Sequence, residues 1–495
     1  MNLKVKDMDI ATGGILVAIL NQKDAQMLDL HALDRIKIIK GKKIETVAVD
    51  IAESSRAVPQ GRIGLFEEVL DSMKLKDKDS VRIMLARKPL SVKYIKKKLD
   101  GRRLTNKEIN QIVWDIVNNK LSEIELTYFV AACYTHALDI TETMQLTKAI
   151  ASHGEMLKFS RHPVIDKHSI GGIPANRTTM VLVPIIAAAG LLMPKTSSRS
   201  ITSPAGTADT MEVLANVSFP IEEMKGIVEK TNGCIVWGGA INLAPADDKI
   251  IIVERPLGID AESQLLASIM AKKHSVGSTH ILIDIPVGRD AKIKTRKDAL
   301  RLKSDFERIG KKLRKHVKVL ITKGSEPIGN GIGPALEARD VLWLLKRDPK
   351  RPLDLEKKCV YMATKIFEMA GIKNPKKKVL DILNSGSAYK KMQEIISAQG
   401  GNPNINPEKI KIGRYSYTIK SPVNGKVSDI NNKAVSKIAR VAGAPSNKGA
   451  GIYLHKHVGD DVEKNGKLFT VYSESSHKLA YSRDLLKELS CFTIK

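Results

Sequence analysis

Aromatic side chains are scarce in this chain of 495 residues. Phe, Trp and Tyr make up 4% of it, while hydrophobic residues as a whole reach 43%. The core must therefore be packed mainly with aliphatic side chains. Cysteine is nearly absent as well. Cys133, Cys234, Cys359 and Cys491 lie far apart and form no CxxC pair. That excludes a disulfide framework or a cysteine-rich zinc site, and isolated thiols fit a reducing cytosol. Long apolar runs are missing too. The longest, near Met180–Ala189, is interrupted by Pro184 and falls short of the roughly 20 residues a membrane span needs. The opening stretch MNLKVKDMDIATGG has no apolar signal core. The expectation is a cytoplasmic protein with no membrane partner.

Acidic residues are outnumbered: 81 Lys and Arg face 54 Asp and Glu, a formal net charge of +27. The cations spread over the whole chain without interleaved aromatics. Such a diffuse field gathers anions generally and is weak evidence for nucleic acid. The best argument for a nucleic-acid-binding protein, the alternative from another class, is the basic stretch Lys292–Lys318. Yet Leu302, Phe306, Ile309 and Leu313 recur there at helical spacing, so the charges read as the solvated face of a helix. No nucleic-acid partner is expected.

At roughly 100–200 residues per domain, the length predicts three or four domains. The pattern is that of a multidomain α/β protein. Residues 1–86 read as a β-rich N-terminal domain, serving for assembly or as a lid, whose element order resembles a double-psi β-barrel. Residues 88–160 read as a helical bundle, with capping-box spacing at Thr105/Glu108 and Ser122/Glu125. Residues 161–409 alternate strand-like and helical runs, which predicts an α/β domain with a mixed or largely parallel sheet. Strands are expected at Val164–Asp166, Leu191–Met193, Cys234–Trp237, Ile281–Ile285 and Val317–Ile321. Asn374–Lys378 reads as a surface turn. Residues 410–495 form a small C-terminal α+β domain that resembles a barrel-sandwich hybrid.

Three clusters carry chemistry. The first is Lys167-His168-Ser169-Ile170-Gly171-Gly172, after an apolar strand. Its glycines let backbone N–H groups approach an anion, Lys167 adds charge, and a helix start near Thr178 adds a positive end. The second runs from Lys195 to Thr207. It packs seven hydroxyl residues and two cations into thirteen positions. Hydroxyls, amides and an Arg are what a phosphate ester needs. The third is Arg255 and Asp260, then Ser268 and Lys272, one helical turn apart.

At these clusters the chain resembles the thymidine and pyrimidine nucleoside phosphorylase family, from about Val92 to the C-terminus. VIDKHSIGG is similar to the family's D-K-H-S-T-G-G, and NLAPADD (Asn242–Asp248) and LASIMAKK (Leu266–Lys273) look like two further family motifs, in the family's order. The resemblance implies a helical domain hinged to a larger α/β domain, at least a dimer, and attack of phosphate on C1′ of a ribose as the base departs. Lys167 and Ser169 carry over as phosphate contacts. Arg255, Ser268 and Lys272 carry over to the base, and His168 to the base and sugar.

The chain departs from the nucleoside enzymes. Ile170 replaces a threonine, IPANR follows Gly172 in place of VGDK, SSRSITSPAGT replaces a glycine-rich G-H-T-G-G-T stretch, and an extra domain precedes the bundle. These features resemble the archaeal branch that acts on nucleoside 5′-monophosphates. That branch implies AMP, and with it CMP and UMP, as substrate and ribose 1,5-bisphosphate as product. The nearest rival is a nucleoside-specific pyrimidine or thymidine phosphorylase. The added charge of a 5′-phosphate needs added donors. Gly172, Ser198, Arg199, Ser200, Ile201, Thr202, Ser203, Thr207 and Lys292 are assigned to the nucleotide. Asp260 is assigned as proton donor to the leaving base. Inorganic phosphate is a co-substrate; no cofactor and no metal are expected.

Overall fold

Alternation of apolar and polar residues at the start of the chain buries every second side chain of its strands. In the computed structural model, which describes residues 1–13, 16–200, 203–241, 243–254, 256, 258 and 261–495, these strands are β1 (Asn2–Asp7), β2 (Val17–Asn21), β3 (Arg35–Lys40), β4 (Lys43–Ala52), β5 (Arg62–Leu65) and β6 (Ser80–Leu85). They close into a barrel in the order β1-β5-β2-β4-β3-β6. Closure removes the exposed edges that an open sheet would leave. Leu3, Val5, Leu20, Ile36, Ile38, Val49, Ile63, Leu65 and Ile83 fill it. Two short helices, α1 (Gln22–Met27) and α2 (Glu67–Met73), lie between strands.

Four helices follow: α3 (Leu90–Leu99), α4 (Asn106–Val117), α5 (Glu123–Thr135) and α6 (Ile140–Ser152). Both expected capping boxes form, at Thr105/Glu108 and Ser122/Glu125, and a third opens α6 at Asp139/Glu142. Ile109, Ile112, Val113 and Ile116 are buried on one face of α4, and Val117 is half-buried. The Lys98 ammonium pairs with Glu142 at 3.2 Å in the interior.

The described residues form two units by contact density, Met1–His153 with Ala244–Ser268, and Gly154–Leu243 with Ile269–Lys495. The first unit thus includes a later helix, α10 (Pro245–Glu254). The Lys249 side chain of α10 donates to the carbonyls of Ile116 and Val117, at 2.9 and 2.8 Å, where α4 ends.

The second unit alternates strand and helix: β7 (Ile165–Ser169), α7 (Thr178–Ala188), β8 (Met193–Ser197), α8 (Thr207–Met211), α9 (Ile221–Thr231) and β9 (Gly233–Trp237). After α10 (Pro245–Glu254) come α11 (Glu262–Ser275), β10 (His280–Val287), α12 (Arg296–Lys312), β11 (His316–Lys323), β12 (Gly331–Ile332), α13 (Pro334–Leu345), α14 (Leu353–Met369), α15 (Pro375–Asn384) and α16 (Ser387–Ala398). The parallel strands β11-β10-β7 and the parallel pair β8-β9 are joined by a bridge between Val164 and Leu192. The parallel core expected from strand–helix alternation is present.

Three boundaries correct the sequence reading. β7 runs on through Lys167, His168 and Ser169, because β10 pairs with it as far as Ser169 opposite Asp284. β8 starts at Met193 and takes in Lys195, Thr196 and Ser197, which pair with β9. Asn374–Lys378 is not a free turn. Pro375 opens α15 at its first position, where a missing N–H costs nothing, and Asn374 takes the left-handed conformation. The α7 segment also continues through Pro184 and is buried along nearly its whole length. The basic stretch proves amphipathic, with Ala299, Leu302, Phe306 and Ile309 of α12 buried.

The last residues supply β13 (Tyr415–Lys420), β14 (Gly425–Ile430), β15 (Gly451–Leu454), β16 (Asp461–Val462), β17 (Lys467–Ser473) and β18 (Phe492–Ile494), and a four-stranded sheet forms in the order β12-β15-β17-β13. A three-stranded sheet and two helices accompany it around an aliphatic core that includes Val427, Ile438, Ile452 and Val471. Among the described residues no helix is long and apolar enough to cross a membrane.

Packing density sets the expected sensitivity. Phe129→Ala in the bundle core should cost about 3–5 kcal/mol, and Thr105→Ala at the α4 cap about 1 kcal/mol. Urea unfolding followed by circular dichroism measures both; equal effects would contradict this ranking.

Candidate active site

The β7 strand presents two faces. Its alternation sends Asp166 and His168 one way and Lys167 and Ser169 the other. Lys167 is 1% exposed, and its Nζ donates to Thr178 Oγ1 at 2.8 Å, at the start of α7. Burial lowers its pKa to about 8, against the pull of Asp284. Ser169 donates to Asp284 Oδ2 at 3.1 Å, and Asn176 Nδ2 reaches the same hydroxyl at 3.4 Å. Asp284, fully buried on β10, also takes the Lys358 ammonium at 3.1 Å and the Thr322 hydroxyl at 2.6 Å. The charges of Lys358 and Lys167, with the Thr322 hydrogen bond, hold its carboxyl below the usual range despite burial.

On the other face Asp166 anchors two lysines, Lys273 at 2.8 Å and Lys195 at 3.5 Å. Burial pushes the Lys273 ammonium pKa down and Asp166 opposes it. His168 stands in the same cationic field. Burial first, then Lys273, Lys195, Lys167 and Lys272, press its pKa well below the ordinary histidine value. His168 is thus a neutral imidazole near pH 7, able to donate or accept one hydrogen bond per ring nitrogen without bringing charge.

The hydroxyl-rich segment folds back on itself. A Cβ on Gly206 would lie 2.5 Å from the Ser198 carbonyl oxygen, so only glycine lets the two backbones meet. Asp209 accepts from the Ser200 N–H at 2.7 Å and the Gly206 N–H at 2.9 Å, closing the loop. Ser200 and Ser203 hydroxyls lie 3.2 Å apart, and Ser203 donates to the Ala205 carbonyl at 3.1 Å. Arg199 is bound to acids of its own chain: Glu212 at 2.5 Å and Asp209 at 3.4 Å. Its guanidinium also lies over the Trp237 ring, 4.8 Å from the centroid. Arg177 donates to Thr207 Oγ1 at 3.0 Å and to the Ala205 carbonyl at 2.9 Å.

The α7 start therefore joins the first two clusters: Thr178 receives Lys167, and its neighbour Arg177 reaches Thr207. The backbone of Lys292 lies beside the first cluster. Gly172, at φ +92°, lies so close that a Cβ would be 2.6 Å from the Lys292 backbone nitrogen. Ser268 and Lys272 both lie on α11, one turn apart. Arg255, Asp260, Ile201, Thr202 and Asn242 lie outside the described residues. The sequence reading missed Arg177, Asp284 and Lys358, and took Thr178 only as a helix start. Only the arginine and threonine left a local trace, in the NRTT that starts α7; Asp284 and Lys358 are isolated in sequence and meet the site through the sheet.

Known families match the chain in three places. These are the helical bundle domain of the glycosyl transferase family over residues 92–154, its a/b domain over 161–294, and the pyrimidine nucleoside phosphorylase C-terminal domain over 426–491. The AMP phosphorylase of Thermococcus kodakarensis is 47% identical over 482 residues, 97% of this chain and 95% of that one. The AMP phosphorylase of Pyrococcus furiosus is 46% identical over 498 residues, 100% and 98% of the two chains. AMP phosphorylase 1 of Archaeoglobus fulgidus is 46% identical over 467 residues, 94% and 92%. Anthranilate phosphoribosyltransferase from Thermus thermophilus superposes with a TM-score of 0.52 at 18% identity, covering 62% of this chain and 99% of that one. At that identity the likeness is one of fold.

The lowered pKa of Lys167 has a signed consequence. The ammonium is charged below about pH 8 and loses its proton as pH rises through that value. If Lys167 contacts the attacking phosphate, kcat/KM for phosphate should fall roughly tenfold per pH unit on the alkaline side. Initial rates at limiting phosphate between pH 6 and 10 test this, and a flat profile would remove Lys167 from the anion site.

Proposed function

The chain belongs to the AMP phosphorylase family, and from that premise we propose how its residues divide the phosphorolysis of AMP. The reaction transfers the ribose 5-phosphate unit of AMP from adenine to inorganic phosphate. A phosphate oxygen forms a bond to C1′ as the bond from C1′ to the base nitrogen breaks. The products are adenine and ribose 1,5-bisphosphate.

The observation that best supports the division is the run from Lys167 through Thr178 and Arg177 to Thr207. It links one anion-binding cluster to another, as a reaction between two phosphate-bearing reactants requires. Lys167 and Ser169 hold the attacking phosphate. Gly172, Ser198, Arg199, Ser200, Ile201, Thr202, Ser203, Thr207 and Lys292 hold the nucleotide, chiefly its 5′-phosphate. For Arg199 that means exchanging Glu212 for the ligand. Ser268, Lys272, Arg255 and neutral His168 attend the base. Asp260 protonates the purine as it leaves, so that the electron pair of the broken bond settles on a neutral base. Orienting two reactants supplies several kcal/mol of the barrier, and a positioned acid about 10²–10⁴ in rate. Phosphate is co-substrate, and the chemistry calls for no further cofactor or metal. CMP and UMP are accepted alongside AMP.

The same reading extends to architecture. Residues 1–86 are the assembly domain, with double-psi connections; 88–160 the helical domain; 161–409 the α/β domain; and 410–495 a barrel-sandwich-like domain. The enzyme works in the cytoplasm as at least a dimer. Light scattering at working concentration checks the last point, and a monomeric mass would refute it.

Base release from AMP, adenosine, thymidine and CMP, with and without phosphate, tests the function. Phosphate-dependent adenine release from AMP and not from adenosine is expected; turnover of nucleosides alone would return the chain to the nucleoside enzymes. Asp260→Asn should lower kcat on AMP by at least about 100-fold. Near-full activity would exclude it as the acid.

A further inference from the structure

Arg177 is an unusual place to put a cation. It is 9% exposed, and the carboxylate that neutralises it, Glu337 at the start of α13, is 1% exposed. The two form an ion pair through Arg177 Nε. Glu337 is held from two further sides, by the Thr210 hydroxyl at 3.1 Å and the Gly333 N–H at 3.1 Å. A buried ion pair of this kind adds little net stability over an apolar pair, but breaking it strands a charge. Its geometry is what counts here. Arg177 uses its remaining two arms on the segment after Ser203, one on the Ala205 carbonyl and one on Thr207 Oγ1.

A hydroxyl has one hydrogen to donate and two lone pairs to accept with. Arg177 fills an acceptor position of Thr207. Among the described residues Thr207 donates its own hydrogen to no acceptor. The guanidinium therefore does two things to that hydroxyl: it turns the hydrogen away from itself, and it polarises the O–H bond towards giving that hydrogen up. An anion is the natural receiver. We infer that Arg177, backed by Glu337, is a positioning residue for nucleotide binding: it aims the Thr207 hydroxyl at the 5′-phosphate without touching the ligand itself. The inference rests on the reading of the loop up to Thr207 as the nucleotide-phosphate site. A lysine cannot replace this device, since a single ammonium lacks the planar fork that reaches Glu337, Ala205 and Thr207 together.

The test compares Arg177→Lys, Thr207→Val and the double variant in the full-length enzyme, with KM for AMP and for phosphate measured separately. Arg177→Lys should raise KM for AMP at least tenfold and leave KM for phosphate within twofold. Thr207→Val should do the same, and the double variant should be no worse than the poorer single one, because both changes remove one donor. Glu337→Gln, which keeps an acceptor of the same shape, is the second probe should Arg177→Lys fold poorly, and should move KM for AMP in the same direction. A lowered melting temperature with unchanged KM for AMP, in either Arg177→Lys or Glu337→Gln, would make the pair merely structural and overturn the proposal. So would additive losses in the double variant. If Thr207→Val itself leaves KM for AMP unchanged, the loop is not the nucleotide-phosphate site. In that case the underlying reading fails, which is a different result from a working Thr207 with an idle Arg177.

Discussion

Keeping positive charge inside the second unit is the constraint on which the rest of the site depends. A lone ammonium taken out of water loses several kcal/mol of hydration. Lys167, Lys273, Lys195 and Arg177 are all nearly buried. Each is kept there by a placed partner: Thr178 and the field of Asp284 for Lys167, Asp166 for Lys273 and Lys195, Glu337 for Arg177. The compensation is incomplete, as the lowered pKa values of Lys167 and Lys273 show. The uncompensated part of that charge is what an incoming anion would meet.

The sheet makes this arrangement possible. Parallel pairing of β7 with β10 sets Ser169 opposite Asp284, and the pleat assigns alternate residues of one tetrapeptide to two different pockets of charge. His168 and Lys167 are adjacent in sequence, yet they serve opposite faces. One is driven to neutrality and the other stays a cation near pH 7. Lys167 and His168 in a flexible loop would share one solvent environment and titrate close to their ordinary values.

The hydroxyl-rich loop depends on a different economy. It contains few apolar anchors, so its shape comes from hydrogen bonds to Asp209 and Arg177 and from the close approach at Gly206. Glu212 and Lys448 lie further out and tie the same loop to the C-terminal part of the unit at 2.5 Å. Arg199, shared between Glu212 and Asp209, is the cation of the loop with most exposure and the one best able to change partners.

Local chemistry was legible in the sequence wherever neighbouring residues define it. Capping boxes, the alternating strands of the barrel, the amphipathic α12, the glycine turn after Ser169 and the crowd of hydroxyls from Thr196 to Thr207 all follow from side chains a few positions apart. So did the family, through three short motifs. What the sequence left open was decided at long range. The ends of β7 and β8 depend on which strands pair with them, so residues that look like loop became strand. Asp284, Thr322, Lys358 and Glu337 entered the site from distant segments, and nothing in their immediate neighbours distinguishes them from other buried or solvated polar residues. Arg177 and Arg199 make the difference plain. By sequence each is a cation beside a phosphate-like motif. Tertiary structure turned one inward against a buried glutamate and the other outward against two acids, because the pairing of a charge is settled by which carboxylates the fold brings within about 4 Å.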